Sequence, residues 1–402
     1  MNKTEKRLHV PAGFVFSAAK AGLKASGQLD LALAEAPTGA AAAAVFTRNI
    51  VAAAPVLVGK KHLARTRGRV RAVIVNAGNA NCATGKQGLQ AAEEICGAVG
   101  KSLSAAPQFV FPSSTGIIGV PLPTDKVLGA IPTLLKSKAN DESAVRRFAR
   151  AIMTTDTRPK IVSCEIVFGK QKARILGVAK GSGMIHPNLA TMLAYIFTDV
   201  AACAPHLKAL LQGSCDASFN RISVDGDTST NDTVLLMASG VSGFSLSDPR
   251  PAKVFADALQ AMCAELAEMI VSDGEGVKHV VKVTVDGAST PKNADKIART
   301  VAHSMLVKTA WAGADPNWGR LLAAVGRSGV PVKPSEVDIF IGDQLVCRAG
   351  QAAKFDESKA HRTMLQPRYE ISLKVGRGKA SSTVLTCDLT AEYVRINADY
   401  ST

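Results

Sequence analysis

Short apolar runs rich in β-branched residues alternate with alanine-rich helical stretches along the whole chain, and this alternation limits the fold more than any other feature. Arg71–Asn76 reads as a buried strand and 90–99 as a helix packed through alanines. Phe109–Phe111 reads as a short strand that runs into a turn at Pro112-Ser-Ser-Thr-Gly116. Residues 161–168 and 172–180 predict two strands joined by a Gly-Lys turn, close to a hairpin. A strand is expected over 191–198, with helices over 143–153, 205–211 and 253–271. Later strands are expected over 281–286, 337–341, 369–375 and 382–388. With 402 residues the chain has room for two or three domains. Many strands adjacent in sequence favour hairpins and mixed sheets over a doubly wound parallel sheet, so the fold class is α/β with α+β-type mixed sheets.

Nucleotide-binding loops find no support. Gly181-Ser-Gly183 lacks the third glycine of a dinucleotide fingerprint, because position 186 is His. Gly85-Lys86 lacks the other parts of a phosphate loop: Ala80 stands where a glycine is needed and Gln87 where Ser or Thr is needed. Asp225–Asp232 superficially resembles a calcium loop but lacks the glycine at loop position six and the closing Glu, so no metal is expected. The formal net charge of +15 is dispersed and dense only over 60–71, without interleaved aromatics. That reads as a solvated basic face and argues against nucleic acid as a partner. None of the eight cysteines forms a C-x-x-C pair, so reduced thiols are expected rather than a disulfide or zinc framework. The start, MNKTEKRLHVPAGF, lacks a signal-peptide core, and the longest apolar run, 39–46, is too short to span a bilayer. A soluble cytoplasmic protein without a membrane partner is the expectation.

Chemistry concentrates in a few segments. KGSGMIHPNLATMLAYIFTD, residues 180–199, sets glycines and a proline before Ala190-Thr191 and an apolar run after them. A chain cut between Ala190 and Thr191 would expose a threonine whose own α-amino group serves as base, since that amine titrates near ~7.7–8.0. On spacing alone, Thr191 reads more readily as a strand residue or a helix cap. In Ser113-Ser-Thr-Gly-Ile-Ile-Gly119, Thr115 offers a hydroxyl and Gly116 an N–H that no Cβ shields, although an ordinary glycine turn looks the same. Thr154 stands in a Thr-Thr-Asp-Thr cluster suited to a turn or cap, with Thr155 beside it. Lys180 by itself reads as a surface lysine, and Glu275 in Ser272-Asp-Gly-Glu-Gly276 as part of a helix C-terminus. His186 has no acid or thiol at a helpful spacing and is assigned a structural role. The block 308–320, which holds Trp311 and Trp318, reads as a packed junction between domains.

Five separated blocks, from SSTGIIG through KGSGMIHPNLATMLAYIFTD, FNRISVDGDTSTND and KTAWAGADPNWGR to YVRINADYST, together resemble the ornithine acetyltransferase (bifunctional glutamate N-acetyltransferase, ArgJ) family. Val75–Asn81 is similar as well. One departure is Val277-Lys278, where the family usually continues Ala-Thr-Lys. The resemblance implies a layered sandwich like that of self-processing aminopeptidases, approximately residues 1–280, and a smaller α/β domain, approximately 281–402, whose tail returns to the active site. It implies self-cleavage between Ala190 and Thr191 into chains 1–190 and 191–402 that stay together as an α2β2 heterotetramer. Thr191 would carry acetyl from N-acetylornithine to glutamate in arginine biosynthesis, with Thr115 and Gly116 as the oxyanion hole. Thr154, Lys180, Thr191, Glu275, Asn397 and Thr402 would contact substrate. No cofactor is implied, and acetyl-coenzyme A enters only as a donor that some members use. An amidase or aminopeptidase of the same architecture is the alternative. The 225–232 block would form the wall around Thr191 and hydrogen-bond its amine.

Overall fold

In a computed structural model, which describes residues 7–186 and 192–399, the architecture is organised by a strand that composition argues against. After β1 (Val15–Ala19), the run LALAEAPTGAAAAAVF forms one 16-residue strand, β2 (Leu31–Phe46), although alanine, proline and glycine are all poor strand residues. Then come α1 (Ala54–Arg65), β3 (Arg69–Asn79), α2 (Gly85–Ser102), β4 (Val110–Ile117), α3 (Thr124–Lys136) and α4 (Glu142–Ala151). The hairpin β5 (Lys160–Phe168) and β6 (Gln171–Lys180) follows, then β7 (Leu193–Thr198), α5 (Ala204–Ala217), β8 (Thr233–Ala238) and α6 (Pro249–Val271). These strands make one sheet in the order β4-β3-β2-β8-β7-β6-β5, with β1 paired to β2.

The sheet folds back on itself within β2. The first half of β2 pairs with β3 and the second half with β8, and the register against β3 shifts between Glu35 and Ala40. Such an irregularity bends a strand and raises its local twist. Glu35 stands at the bend, buried, and its two oxygens meet Arg71 at 2.8 Å and Lys138 at 2.7 Å. The two halves of the sheet then face each other. Phe16, Ala34, Val73 and Val75 pack into one core with Leu176, Val178, Tyr195, Phe197, Leu235 and Met237. The rings of Phe16 and Phe197 sit edge to face at 5.0 Å, and Phe148 from α4 wedges in beside Phe16 and Tyr195. Period-two alternation sends the intervening residues outward. Leu31, Leu33, Ala72 and Ile74 pack on α2 and α3, whereas Ile175, Ala194, Ile196 and Leu236 pack on α5 and α6. The result is four layers, helix–sheet–sheet–helix.

Residues 280–399 build a second sheet with its own core. Its strands are β9 (Val280–Ala288), β10 (Asp338–Ile341), β11 (Gln344–Arg348), β12 (Gln351–Ala352), β13 (Arg368–Lys374) and β14 (Ala380–Cys387). Its helices are α7 (Pro291–Ala302), α8 (Met305–Ala312), α9 (Trp318–Gly326), α10 (Glu357–Met364) and α11 (Ala391–Asp399). The strand order is β12-β11-β10-β13-β9-β14, and only β13 and β9 run parallel. Val280 and Cys387, at the ends of two neighbouring strands, join the core under α6 and so connect the two units.

Two readings from the sequence need correction. The turn expected at Pro112–Gly116 is strand: β4 runs through it, parallel to β3, with Pro112 opposite Ile74 and Gly116 opposite Gly78. β4 is the edge strand of the sheet, where a residue without an N–H is tolerated. The tryptophan block is not a domain junction either. Trp311 is buried in the core of the second unit, with Trp318 packed against that core. Among the described residues no helix is long and apolar enough to cross a membrane.

Candidate active site

Seven segments far apart in sequence converge on one cleft, among them Ala80 after β3 and Ser229–Asn231 before β8. Thr115, Gly116 and Ile118 come from the end of β4, Thr154 and Thr155 from the turn after α4, and Lys180 from the last position of β6. Glu275 follows α6, and Asn397 projects from α11. Every site residue expected from the sequence that lies among the described residues therefore lines this cleft. Ala190, Thr191 and Thr402 lie outside the described residues.

Gly116 sits at φ +130°, a conformation that L side chains rarely adopt. A Cβ there would lie 2.3 Å from the carbonyl carbon of Gly78, so the position admits only glycine as the two parallel strands now stand. Beside it, the Thr115 hydroxyl accepts a hydrogen bond from Lys180 Nζ at 3.2 Å. Lys180 is buried, contrary to its reading as a surface lysine. Burial pushes its ammonium below the usual lysine value; Asp156 opposes that shift and the neighbouring Lys160 adds to it. Burial would raise the Asp156 carboxyl in turn, but Lys180 and Lys160 hold it at about 2.

Glu275 lies across Gly183, where a Cβ would come within 2.4 Å of its Oε2. The Asn397 amide donates to the same carboxylate oxygen at 2.7 Å. The tail helix α11 is thereby brought to the rim of the cleft. Tyr393, one turn earlier, directs its hydroxyl to Asp225 Oδ2 at 3.3 Å.

Two carboxylates bracket the segment that contains Ala190 and Thr191. On the entering side Asp225 accepts the N–H groups of Met184 at 2.5 Å and Ile185 at 2.9 Å. On the leaving side Asp232 Oδ1 accepts the N–H of Met192 at 2.8 Å. Burial raises the Asp225 carboxyl to about 6 and pushes that of Asp232 well above the ordinary carboxylate range. Asp232 Oδ2 is buried and accepts no hydrogen bond of ordinary geometry among the described residues, although the nearby Ser229 hydroxyl favours its charged form. Asn231 ties this wall to β4 by donating to Ser114 O at 2.8 Å, and to the residue after β3 by donating to Ala80 O at 2.7 Å. The sequence marked the 225–232 block as a wall, but not these individual contacts, nor Ala80, Thr155, Gly183 and Met184 as cleft residues. Their only signal was proximity to glycines and hydroxyls, which loops share.

The His186 and His303 rings lie with centroids 4.5 Å apart, tilted by 41°. Burial lowers the pKa of both rings, that of His303 to about 3. Neutral, shielded imidazoles fit the structural role expected for His186.

The arrangement can stabilise an oxyanion with the Thr115 hydroxyl and the Gly116 N–H, and it offers one cation and one anion to a zwitterionic ligand. Comparison with known proteins gives the family. The ArgJ family profile matches residues 15–402. The arginine biosynthesis bifunctional protein ArgJ of Methylococcus capsulatus is 44% identical over 407 residues, covering 100% of this chain and 98% of that one. Its counterpart in Thermosynechococcus vestitus is 44% identical, covering 97% and 96%. A crystal structure of the Bacillus halodurans argJ protein is 40% identical with a TM-score of 0.49, and covers 51% of this chain and 98% of that one. Matched by its profile over almost the entire length and by relatives 44% identical over nearly the whole chain, the chain belongs to the ArgJ family.

Proposed function

We propose that this arginine-biosynthesis enzyme cuts itself before Thr191 and then moves acetyl groups on that threonine. The convergence of Thr115, Gly116, Thr154, Lys180, Glu275 and Asn397 on one cleft, with the anchored Met184–Ile185 and Met192 on either side of the cut, carries the reading. In the first step Thr191 Oγ attacks the carbonyl carbon of Ala190. The C–N bond breaks, the amine takes the proton, and the resulting ester is hydrolysed by water. In the second step the free α-amine of Thr191 removes the hydroxyl proton as Oγ attacks the acetyl carbonyl of N-acetylornithine. The oxyanion accepts hydrogen bonds from the Thr115 hydroxyl and the Gly116 N–H. Ornithine departs with the proton, and the amine of glutamate takes the acetyl group from the ester to give N-acetylglutamate.

Glu275 suits the amino group of ornithine, and Lys180 suits a carboxylate, with Thr154, Asn397 and Thr402 as further contacts. Residues 1–190 and 191–402 form the two chains of an α2β2 assembly in the cytoplasm. The domain division falls at approximately residue 280. The relatives are called bifunctional, which supports acetyl-coenzyme A as a second donor. Denaturing intact mass of the purified protein beside Thr191→Ala tests the cut: two fragments meeting at Ala190/Thr191, absent in the variant, are expected. Incubation with N-acetylornithine and glutamate then yields N-acetylglutamate. Free acetate in its place would make the protein an amidase.

A further inference from the structure

Lys160, the first residue of β5, is fully buried and touches none of the reacting groups in the proposed chemistry. Its ammonium donates to Asp156 Oδ1 and to Asp273 Oδ2, each at 2.6 Å. Each carboxylate reaches further. Asp156 accepts the N–H of Gly181 at 2.7 Å and that of Thr154 at 3.1 Å. Asp273 accepts the N–H of Thr157 at 3.1 Å and the Thr157 hydroxyl. The carbonyl of Asp273 accepts from the Ser182 hydroxyl at 2.7 Å, and the Glu275 N–H donates to the Ser182 carbonyl at 3.0 Å. The only other cation paired with Asp273 among the described residues is Arg158, half exposed and 3.9 Å away.

Three segments are thus stitched together around one ammonium: the 154–157 turn, the end of β6 at 180–182, and the 273–275 loop. Each carries one of the cleft residues Thr154, Lys180 and Glu275. Without the Lys160 ammonium, Asp156 keeps the neighbouring charge of Lys180 but Asp273 is left with Arg158 at 3.9 Å, and the bridge between the two carboxylates is gone. Two carboxylates out of water repel each other or come to share a proton, and either way the contact that set their spacing is lost.

We propose that Lys160 is a positioning residue of the acetyl-transfer site: by holding Asp156 and Asp273 at one spacing it fixes the distances among Thr154, Lys180 and Glu275, and hence the fit of the amino-acid substrates. The inference rests on the reading of those three residues as substrate contacts. Its mark is a loss weighted toward KM, because misplaced binding groups weaken the bound complex before they touch the acyl chemistry.

Steady-state transfer from N-acetylornithine to glutamate tests it with the wild-type protein, Lys160→Met, Asp273→Asn and the double variant, each checked for fold by circular dichroism. Lys160→Met is expected to raise KM for both substrates tenfold or more while kcat changes less. The double variant should lose less than the product of the two single losses, since both act through one contact. A wild-type protein without transfer activity overturns the functional reading. An active wild type whose folded Lys160→Met variant keeps its KM values overturns the role of Lys160 alone. Should Lys160→Met fail to fold, Asp273→Asn decides, because it keeps the side-chain shape and the Lys160–Asp156 pair. A KM-weighted loss then upholds the proposal, and unchanged KM values end it.

Discussion

Asn397 and Glu275 are 122 residues apart in the chain and meet at 2.7 Å, the side-chain amide of one donating to the carboxylate of the other. This contact joins the tail helix α11 to the loop after α6 and closes one side of the cleft. Hydrogen bonds to charged groups contribute ~1.5–3 kcal/mol. Asn397→Ala is therefore expected to raise KM for N-acetylornithine by roughly ten- to a hundredfold. Wild-type kinetics in Asn397→Ala would show that the Asn397–Glu275 contact plays no part in binding.

Gly183 tests the placement of Glu275 from the other side. A methyl group at position 183 would occupy the space of the Glu275 carboxylate, 2.4 Å from Oε2. The carboxylate sits at the end of a flexible side chain, so it can swing away at little cost to the fold. Gly183→Ala should melt within a few degrees of the wild type and yet lose at least tenfold in kcat/KM. A variant that melts normally and transfers normally would show that Glu275 does not need its present position.

Asp232→Asn separates function from stability. Burial holds the Asp232 carboxyl well above its unfolded value, so its ionisation opposes folding as pH rises past the unfolded pKa. The asparagine keeps an oxygen for the Met192 N–H and removes the charge. Its melting temperature at pH 7 to 8 should rise. Self-cleavage or acetyl transfer should fall at least tenfold if the second carboxylate oxygen serves the Thr191 amine. Mass spectrometry and the transfer assay read the two effects apart.

His303 predicts a pH slope. Its pKa is depressed by burial from 6.5 to about 3, so the unfolded chain binds the proton first as the solution is acidified. The stability it contributes is complete above pH ~6.5 and is lost as pH falls toward 3, a matter of a few kcal/mol on the order-of-magnitude scale. Asp225, raised to about 6, works in the opposite direction between about pH 6 and 4. Denaturant titrations from pH 7.5 to 5 should show a decline that flattens in His303→Phe. An equal slope in both proteins would assign the acid sensitivity to other groups.

Much of this was legible in the chain. β3, the β5–β6 hairpin and the strands of the second sheet announce themselves through β-branched runs that suit a half-buried pleat. β2 did not, because its strand state is imposed by neighbours on both sides and not by its alanines. Glu35, at the fold-back, pairs with Arg71 and Lys138, which no local pattern connects to it. The site shows the same division. Thr115, Gly116, Thr154, Lys180, Glu275 and Asn397 stand in recognisable blocks, and the cleft gathers them. The burial of Lys180 and the reach of Asp273 to Lys160 arise only when distant segments meet, so neither had a sequence signal; the Asp156–Lys160 pair is local, four residues apart.

The order of strands in the folded sheet bears on what a cut before Thr191 would produce. β7 and β8 lie between β2 on one side and β6 on the other, so the later half of the polypeptide is inserted into the earlier half. Ladder bonds from Ala41–Phe46 to Thr233–Ala238 and from Ile175–Lys180 to Leu193–Thr198 grip it along both edges. Two fragments so interleaved cannot slide apart at one seam; both ladders must open together. Such a molecule can lose a covalent link and remain one mechanical body. The two pieces, synthesised from separate messages, would be expected to complement each other into the same interlocked particle.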